Sequence, residues 1–143
     1  MEYQNVKNVM QNIVEVTSMN KVKLNIWDRE FDIEVVYDKY SDETVLTAQK
    51  KALEDFMRAT EEIESSLAIV KEYCLSNNRE EIGSDYIDNI FKYVMPKYLY
   101  VARDNENHTV AIMCNYRYDE ENGIAIVFKN EKFLQIGKQD IIL

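Results

Sequence analysis

The stretch Tyr116-Arg117-Tyr118-Asp119-Glu120-Glu121-Asn122-Gly123-Ile124-Ala125-Ile126-Val127-Phe128 constrains the fold more than any other. Two runs of strand-forming residues flank a polar loop that ends in Asn-Gly, a strong hairpin signal. A two-residue Asn122-Gly123 turn would set Asp119 against Ile126 and put a carboxylate on an apolar face. A five-residue loop, Asp119 to Gly123, instead sets Tyr118 opposite Ile124, Tyr116 opposite Ile126 and Cys114 opposite Phe128. That register keeps one face apolar and lets Gly123 take a positive φ. Ala125 and Val127 are apolar as well, which places this strand inside the sheet with both faces covered.

A second hairpin reads from Lys21 to Asp38. Val22, Leu24 and Ile26 alternate with polar residues, as do Phe31, Ile33 and Val35. A turn at Asp28-Arg29 sets Ile26 opposite Phe31, Leu24 opposite Ile33, Val22 opposite Val35 and, on the charged face, Lys23 opposite Glu34. Asp-Arg suits a primed turn poorly, which leaves room for a longer loop. Residues 1–20 read as a partly ordered arm whose second half pairs with the sheet.

Between the hairpins, Val45, Gln49, Ala52, Phe56, Ala59, Ile63, Leu67, Val70 and Cys74 recur at helical spacing. One helix from Asp42, capped by Ser41, to Ser76 would be about 50 Å long. A domain of this size has a radius of gyration near ~14–15 Å, so a break is expected at Ala59-Thr60, with Glu61 and Glu62 in the new first turn. Gly83-Ser84-Asp85 then opens a third short helix that buries Ile87, Ile90, Phe91 and Val94 and stops at Pro96. Tyr98 to Arg103, Thr109 to Tyr118, Ile124 to Phe128 and Lys132 to Ile136 read as a four-stranded meander. The expected fold is α+β: an antiparallel sheet from an N-terminal hairpin and a C-terminal meander, with two or three helices inserted between them and packed on one face.

The chain has 143 residues, 46% of them hydrophobic, and reads as one domain over residues 1–143. Its formal net charge is −9, from 17 basic and 26 acidic residues with no Lys/Arg cluster, which argues against nucleic acid and for a basic protein partner. No stretch reads as a signal peptide or membrane span, and the two cysteines, Cys74 and Cys114, read as reduced; cytoplasm is the expected compartment.

Three Gly residues, at 83, 123 and 137, cannot form a phosphate-binding loop, so no nucleotide cofactor is expected. One His and two separated Cys lack the ligands of a structural zinc site, and Asp119-Glu120-Glu121-Asn122 lacks the ligand spacing of a calcium loop; no metal is expected. His108, beside a polar turn, reads as an ordinary half-exposed residue. Cys74 and Cys114 lie on apolar faces and read as core. Tyr93, Tyr98, Tyr100, Tyr116 and Tyr118 with Trp27 read as sheet cover or, if exposed, as a partner surface. The candidate interaction residues are Glu30, Asp32, Glu34, Trp27, Asp119, Glu120 and Glu121; no catalytic residue is assigned.

Three segments together resemble a family of bacterial domains of unknown function. They are Ile26-Trp27-Asp28-Arg29-Glu30-Phe31-Asp32-Ile33-Glu34-Val35, Thr47-Ala48-Gln49-Lys50-Lys51-Ala52-Leu53-Glu54-Asp55-Phe56, and Asp119-Glu120-Glu121-Asn122-Gly123-Ile124-Ala125 continuing to Ile136-Gly137-Lys138-Gln139-Asp140. The likeness covers roughly residues 20 to 143 and its motifs define fold rather than catalysis. It implies a small cytosolic protein. By analogy with similar small acidic domains, it extends to immunity proteins that neutralise secreted toxins. The reading is a cytosolic protein-interaction module; the alternative is a small enzyme that uses Asp119, Glu120 or Glu121 with Arg117 or His108.

Overall fold

Six strands form one mixed sheet in the spatial order in which they occur in the chain. The structure, a computed structural model, describes residues 20–143. The strands are β1 (Lys21–Asn25), β2 (Glu30–Tyr37), β3 (Val94–Val101), β4 (Thr109–Tyr116), β5 (Ile124–Lys129) and β6 (Lys132–Gly137), and the helices are α1 (Thr47–Arg58) and α2 (Thr60–Ile82). The α+β architecture with terminal strands and inserted helices is as the sequence leads one to expect. The sheet is not wholly antiparallel, however: β2 and β3 run parallel, with Glu34 beside Tyr98 and Tyr37 beside Val101. Parallel neighbours need a crossover, and α1 with α2 is that crossover. The N-terminal arm expected over residues 1–20 lies, but for Asn20, outside the described residues.

Both expected hairpin registers are corrected by an even number of residues. In the first, Leu24 pairs with Phe31, Val22 with Ile33 and Lys23 with Asp32, and Ile26 to Arg29 form the loop. Trp27 and Asp28 adopt positive φ there, and the Ile26 N–H donates to the Arg29 carbonyl at 2.9 Å. In the second, Cys114 pairs with Ile124, Ile112 with Ile126 and Val110 with Phe128, so Asn115 to Gly123 lie beyond the β4–β5 ladder. Tyr116 pairs with Val94 of β3 instead. The Gln139 amide donates to the Cys114 carbonyl at 3.1 Å, and a Cβ on Gly123 would come within 2.5 Å of that same oxygen. Gly123 has φ +60°, so glycine is required here twice over. Even shifts leave each side chain on its expected face, and Ile124 to Phe128 are all buried in mid-sheet.

The helical break falls at Ala59 (φ −84°, ψ 53°), between Arg58 and Thr60, with Glu61 and Glu62 in the first turn of α2. The start is later than Ser41-Asp42. Arg103 donates to the Thr44 carbonyl at 2.9 Å and approaches Glu43 at 3.5 Å, which holds this segment out of helix. Asn78 is non-helical and kinks α2, which resumes to Ile82 and ends on Gly83 in the left-handed region. Gly83 therefore caps a helix rather than opening one. The third helix shrinks to a single 3₁₀ turn, Ile90–Lys92, while Ile87, Ile90 and Val94 are buried as expected. Pro96 lies inside β3 at a register shift, where a missing N–H is tolerated.

One core joins both helices to one face of the sheet, through Ala52, Phe56, Ile63, Val70 and Cys74 against Val35, Leu99, Ile112, Ile126 and Phe128. Phe56 and Phe128 meet edge to face with ring centroids 5.0 Å apart. On the other face Ala111, Met113, Ala125 and Val127 are buried with Tyr98, Tyr100 and Ile142 packed against them. Phe56 is 1% exposed, so Phe56→Ala should cost roughly 3–5 kcal/mol in a denaturant titration. A loss below about 1 kcal/mol would show that this packing does not hold the helices.

Candidate functional site

The outer side of α2 and the last strand enclose an apolar groove. Ala68, Glu72 and Ser76 recur every four residues along the helix, with Ile69 and Tyr73 beside them, and Ile136 of β6 closes the far wall. The groove has a volume of about 420 Å³. It adjoins an edge: among the described strands, β6 has only β5 as a neighbour, and Leu134 on it is 52% exposed. The Phe133 N–H of β6 donates to Glu62 at 3.0 Å rather than to a strand. Glu72 belongs to its lining, and along its whole length α2 carries Glu61, Glu62, Glu64, Glu72, Glu80 and Glu81 against only Lys71 and Arg79. At the other end of the described strands, β1 exposes Lys21 and Lys23, the residues that discourage strand addition.

The sequence-derived candidates do not form one site. Glu30 and Asp32 are exposed and Glu34 is half-buried on the sheet face away from the helices; Glu30 faces Asn25, Lys21 faces Glu34, and Lys23 reaches Asp32 at 3.9 Å. Trp27 is only 3% exposed; its indole N–H donates to the buried Ser66 hydroxyl at 3.1 Å, and its ring packs near Phe91. Trp27 therefore anchors the β1–β2 loop to α2 and offers no surface to a partner, a correction to its place among the interaction residues.

The Asp119 carboxylate accepts hydrogen bonds from the backbone and side chain of Asn122, so it holds its own loop. Arg117 and Glu120 line a depression of about 380 Å³ with Phe91, Tyr93 and Met95. His108 lies at the other end of β4, roughly 25 Å away at strand rise, and cannot act with these groups. Tyr93, Tyr116 and Tyr118 pack on one another at the Arg117 end, with centroids 5.8 to 5.9 Å apart, and Tyr116 is buried.

His108 has other company. Its Nδ1 lies 3.6 Å from Asp55 Oδ2 on α1 and 3.6 Å from Glu131 Oε2 in the β5–β6 turn. Sequence reading missed Asp55 and Glu131, because nothing in the spacing of residues 55, 108 and 131 hints that a helix, a strand start and a turn converge. Among the described residues these three are the group able to hold a metal ion.

The cysteines take no part in a site. Both are buried and unpaired with each other. Burial pushes the Cys74 thiol up to about 11, against a smaller opposing effect of its hydrogen bond with Tyr116, and raises the fully enclosed Cys114 as well. A thiol reagent at pH 8 should therefore modify neither residue until the protein unfolds. Rapid labelling of the folded protein would contradict this placement.

What these elements define, among the described residues, is an α+β domain with a mixed six-stranded sheet whose last strand lies at an edge beside an acidic helix, and buried thiols. The chain belongs to the DUF6985 family of domains of unknown function, which covers residues 5–143. No curated protein and no solved structure matches it. No helix among the described residues is long and apolar enough to cross a membrane.

Proposed function

We propose that the protein is a non-enzymatic interaction module whose α2–β6 face takes an extended segment of a basic protein partner. The observation that carries this reading is the apolar groove of Ile69, Tyr73 and Ile136, with Glu72 in its lining, set on an acidic helix beside β6, which has one neighbour among the described strands. A strand added to an open edge gains main-chain hydrogen bonds, and its alternate side chains enter the adjoining groove. Basic residues on the same segment would meet Glu61, Glu64 and Glu72. Of the β2 carboxylates Asp32 and Glu34 face lysines and Glu30 faces Asn25, and they would add only to the long-range field of a chain with net charge −9. Neutralising a secreted toxin in the cytoplasm is the specific form of this function that an acidic module suits. The enzyme reading has less support: Asp119 is engaged in its loop, and Arg117 and Glu120 face an open depression.

The experiment is an affinity capture from the native host, followed by titration of the recovered protein against wild type and the Ile69→Asp and Ile136→Asp variants. Binding should weaken by about tenfold or more in either variant, because a buried unpaired charge opposes docking. It should also weaken as salt rises and the Debye length shrinks towards about 8 Å. Equal binding by variants that keep the wild-type melting curve would place the partner elsewhere. A self-association abolished by the same substitutions would identify the occupant as a second copy and refute a basic partner.

A further inference from the structure

We propose that Asp55, His108 and Glu131 form a binding site for a divalent transition-metal ion of the zinc type. The three donor atoms come from separate elements, α1, the residue preceding β4, and the β5–β6 turn, and all lie within 4.8 Å of one another. The imidazole Nδ1 stands 3.6 Å from both carboxylate oxygens. That is too long for a hydrogen bond, for which N···O distances fall between about 2.7 and 3.2 Å. It is close to what an ion needs: with bonds of about 2.0–2.1 Å, tetrahedral donors stand about 3.4 Å apart. The groups thus converge without satisfying one another, and a small contraction would place all three around one cation.

The arrangement is held in place from outside. The His108 backbone N–H donates to the Asn130 side-chain oxygen at 2.9 Å, and the Asn130 backbone N–H donates to the His108 carbonyl at 2.7 Å, which locks the turn carrying Glu131 against His108. On α1, Lys51 at 3.1 Å and Arg58 at 3.6 Å engage Asp55 through Oδ1, leaving Oδ2 directed at the imidazole. Such outer partners orient first ligands and tune affinity. The side chains are 23%, 23% and 32% exposed, and a polar depression of about 530 Å³ opens beside Glu131, between Arg58 and Lys132, as a path for an ion.

The donor set selects the ion. One imidazole and two carboxylates suit zinc, manganese or iron(II); calcium and magnesium prefer all-oxygen sets, and copper(I) prefers sulfur. Three protein ligands also leave a coordination position for water, as in exchangeable or reactive sites rather than closed structural ones. Bound there, the ion would tie α1 to the β5–β6 turn at the start of the edge strand. This site stands independently of the partner groove, and either can fail without the other.

The test uses the full chain, stripped with chelator, and Zn²⁺ alone as probe. Calorimetric titration should give one site, and Zn²⁺ should raise the melting temperature. Co²⁺ in its place should give the visible d–d absorption of a low-symmetry site. His108→Ala and Asp55→Asn should each weaken Zn²⁺ by about tenfold or more. Glu131→Gly keeps the test clear of folding: Glu131 has φ +66°, which glycine adopts freely, so the metal-free variant should melt no lower than wild type yet lose the Zn²⁺-induced shift. Failure of wild type to bind Zn²⁺, or undiminished binding by all three variants, would overturn the proposal.

Discussion

The fold depends on one buried side chain that closes the crossover between its two parallel strands. Gln49 is fully buried on α1, and its amide uses both ends. The nitrogen donates to the carbonyls of Asp38, just beyond β2, and Val101, the last residue of β3, at 3.0 and 3.3 Å. The oxygen accepts from the Leu46 N–H at 2.9 Å, satisfying a donor at the helix start that leucine cannot cap for itself. A parallel seam has no tight turn to set its register. Here Gln49 and the 2.9 Å bond from the Asp38 N–H to the Val101 carbonyl set the seam's end. Removing the amide would take this partner from the part-buried Asp38 carbonyl and Leu46 N–H, at about 1 kcal/mol for each bond lost, while the Val101 carbonyl would keep its bond from the Asp38 N–H.

From that seam the sheet extends in two unlike directions. Towards β1 the outer face is a ladder of opposed charges, Lys21 with Glu34 and Lys23 with Asp32, and the loop beyond it is pinned by Trp27 to Ser66. Towards β6 the sheet meets the acidic outer side of α2, where Glu62 takes the Phe133 N–H. The His108 cluster lies at the turn that begins β6, and the apolar groove lies near its end at Ile136. Both functional readings therefore fall near β6, which among the described strands has β5 alone as a neighbour.

Alternation in the sequence is enough to assign faces. Val22, Leu24, Ile33 and Val35 all point inward, and the stripe from Gln49 to Cys74 faces the sheet, with the break at Ala59 visible from length alone. Registers were not legible, because a shift of two or four residues leaves the alternation unchanged. The β1–β2 loop lengthened to accommodate Trp27 and Asp28 in the left-handed region, and Cys114, its carbonyl bonded by Gln139, took the place opposite Ile124 that was expected of Tyr118. The parallel seam was hidden too, since strand direction is decided by where the helices return the chain. Trp27 read as surface because aromatic residues favour both interfaces and cores, and only the long-range bond to Ser66 decides between them. The Asp55–His108–Glu131 group was invisible for the same reason: tertiary convergence leaves no local pattern.

Amide hydrogen exchange on the Gln49→Leu variant tests most directly whether that side chain closes the crossover. Leucine fills a similar volume but offers neither donor nor acceptor. The account predicts that protection falls first at Asp38 and along Val36 to Tyr37 and Tyr100 to Val101, while the β4–β5 amides from Val110 to Ile126 stay protected. Unchanged protection at Asp38 and Val101 would contradict it, and would show that the parallel seam stands without the Gln49 amide.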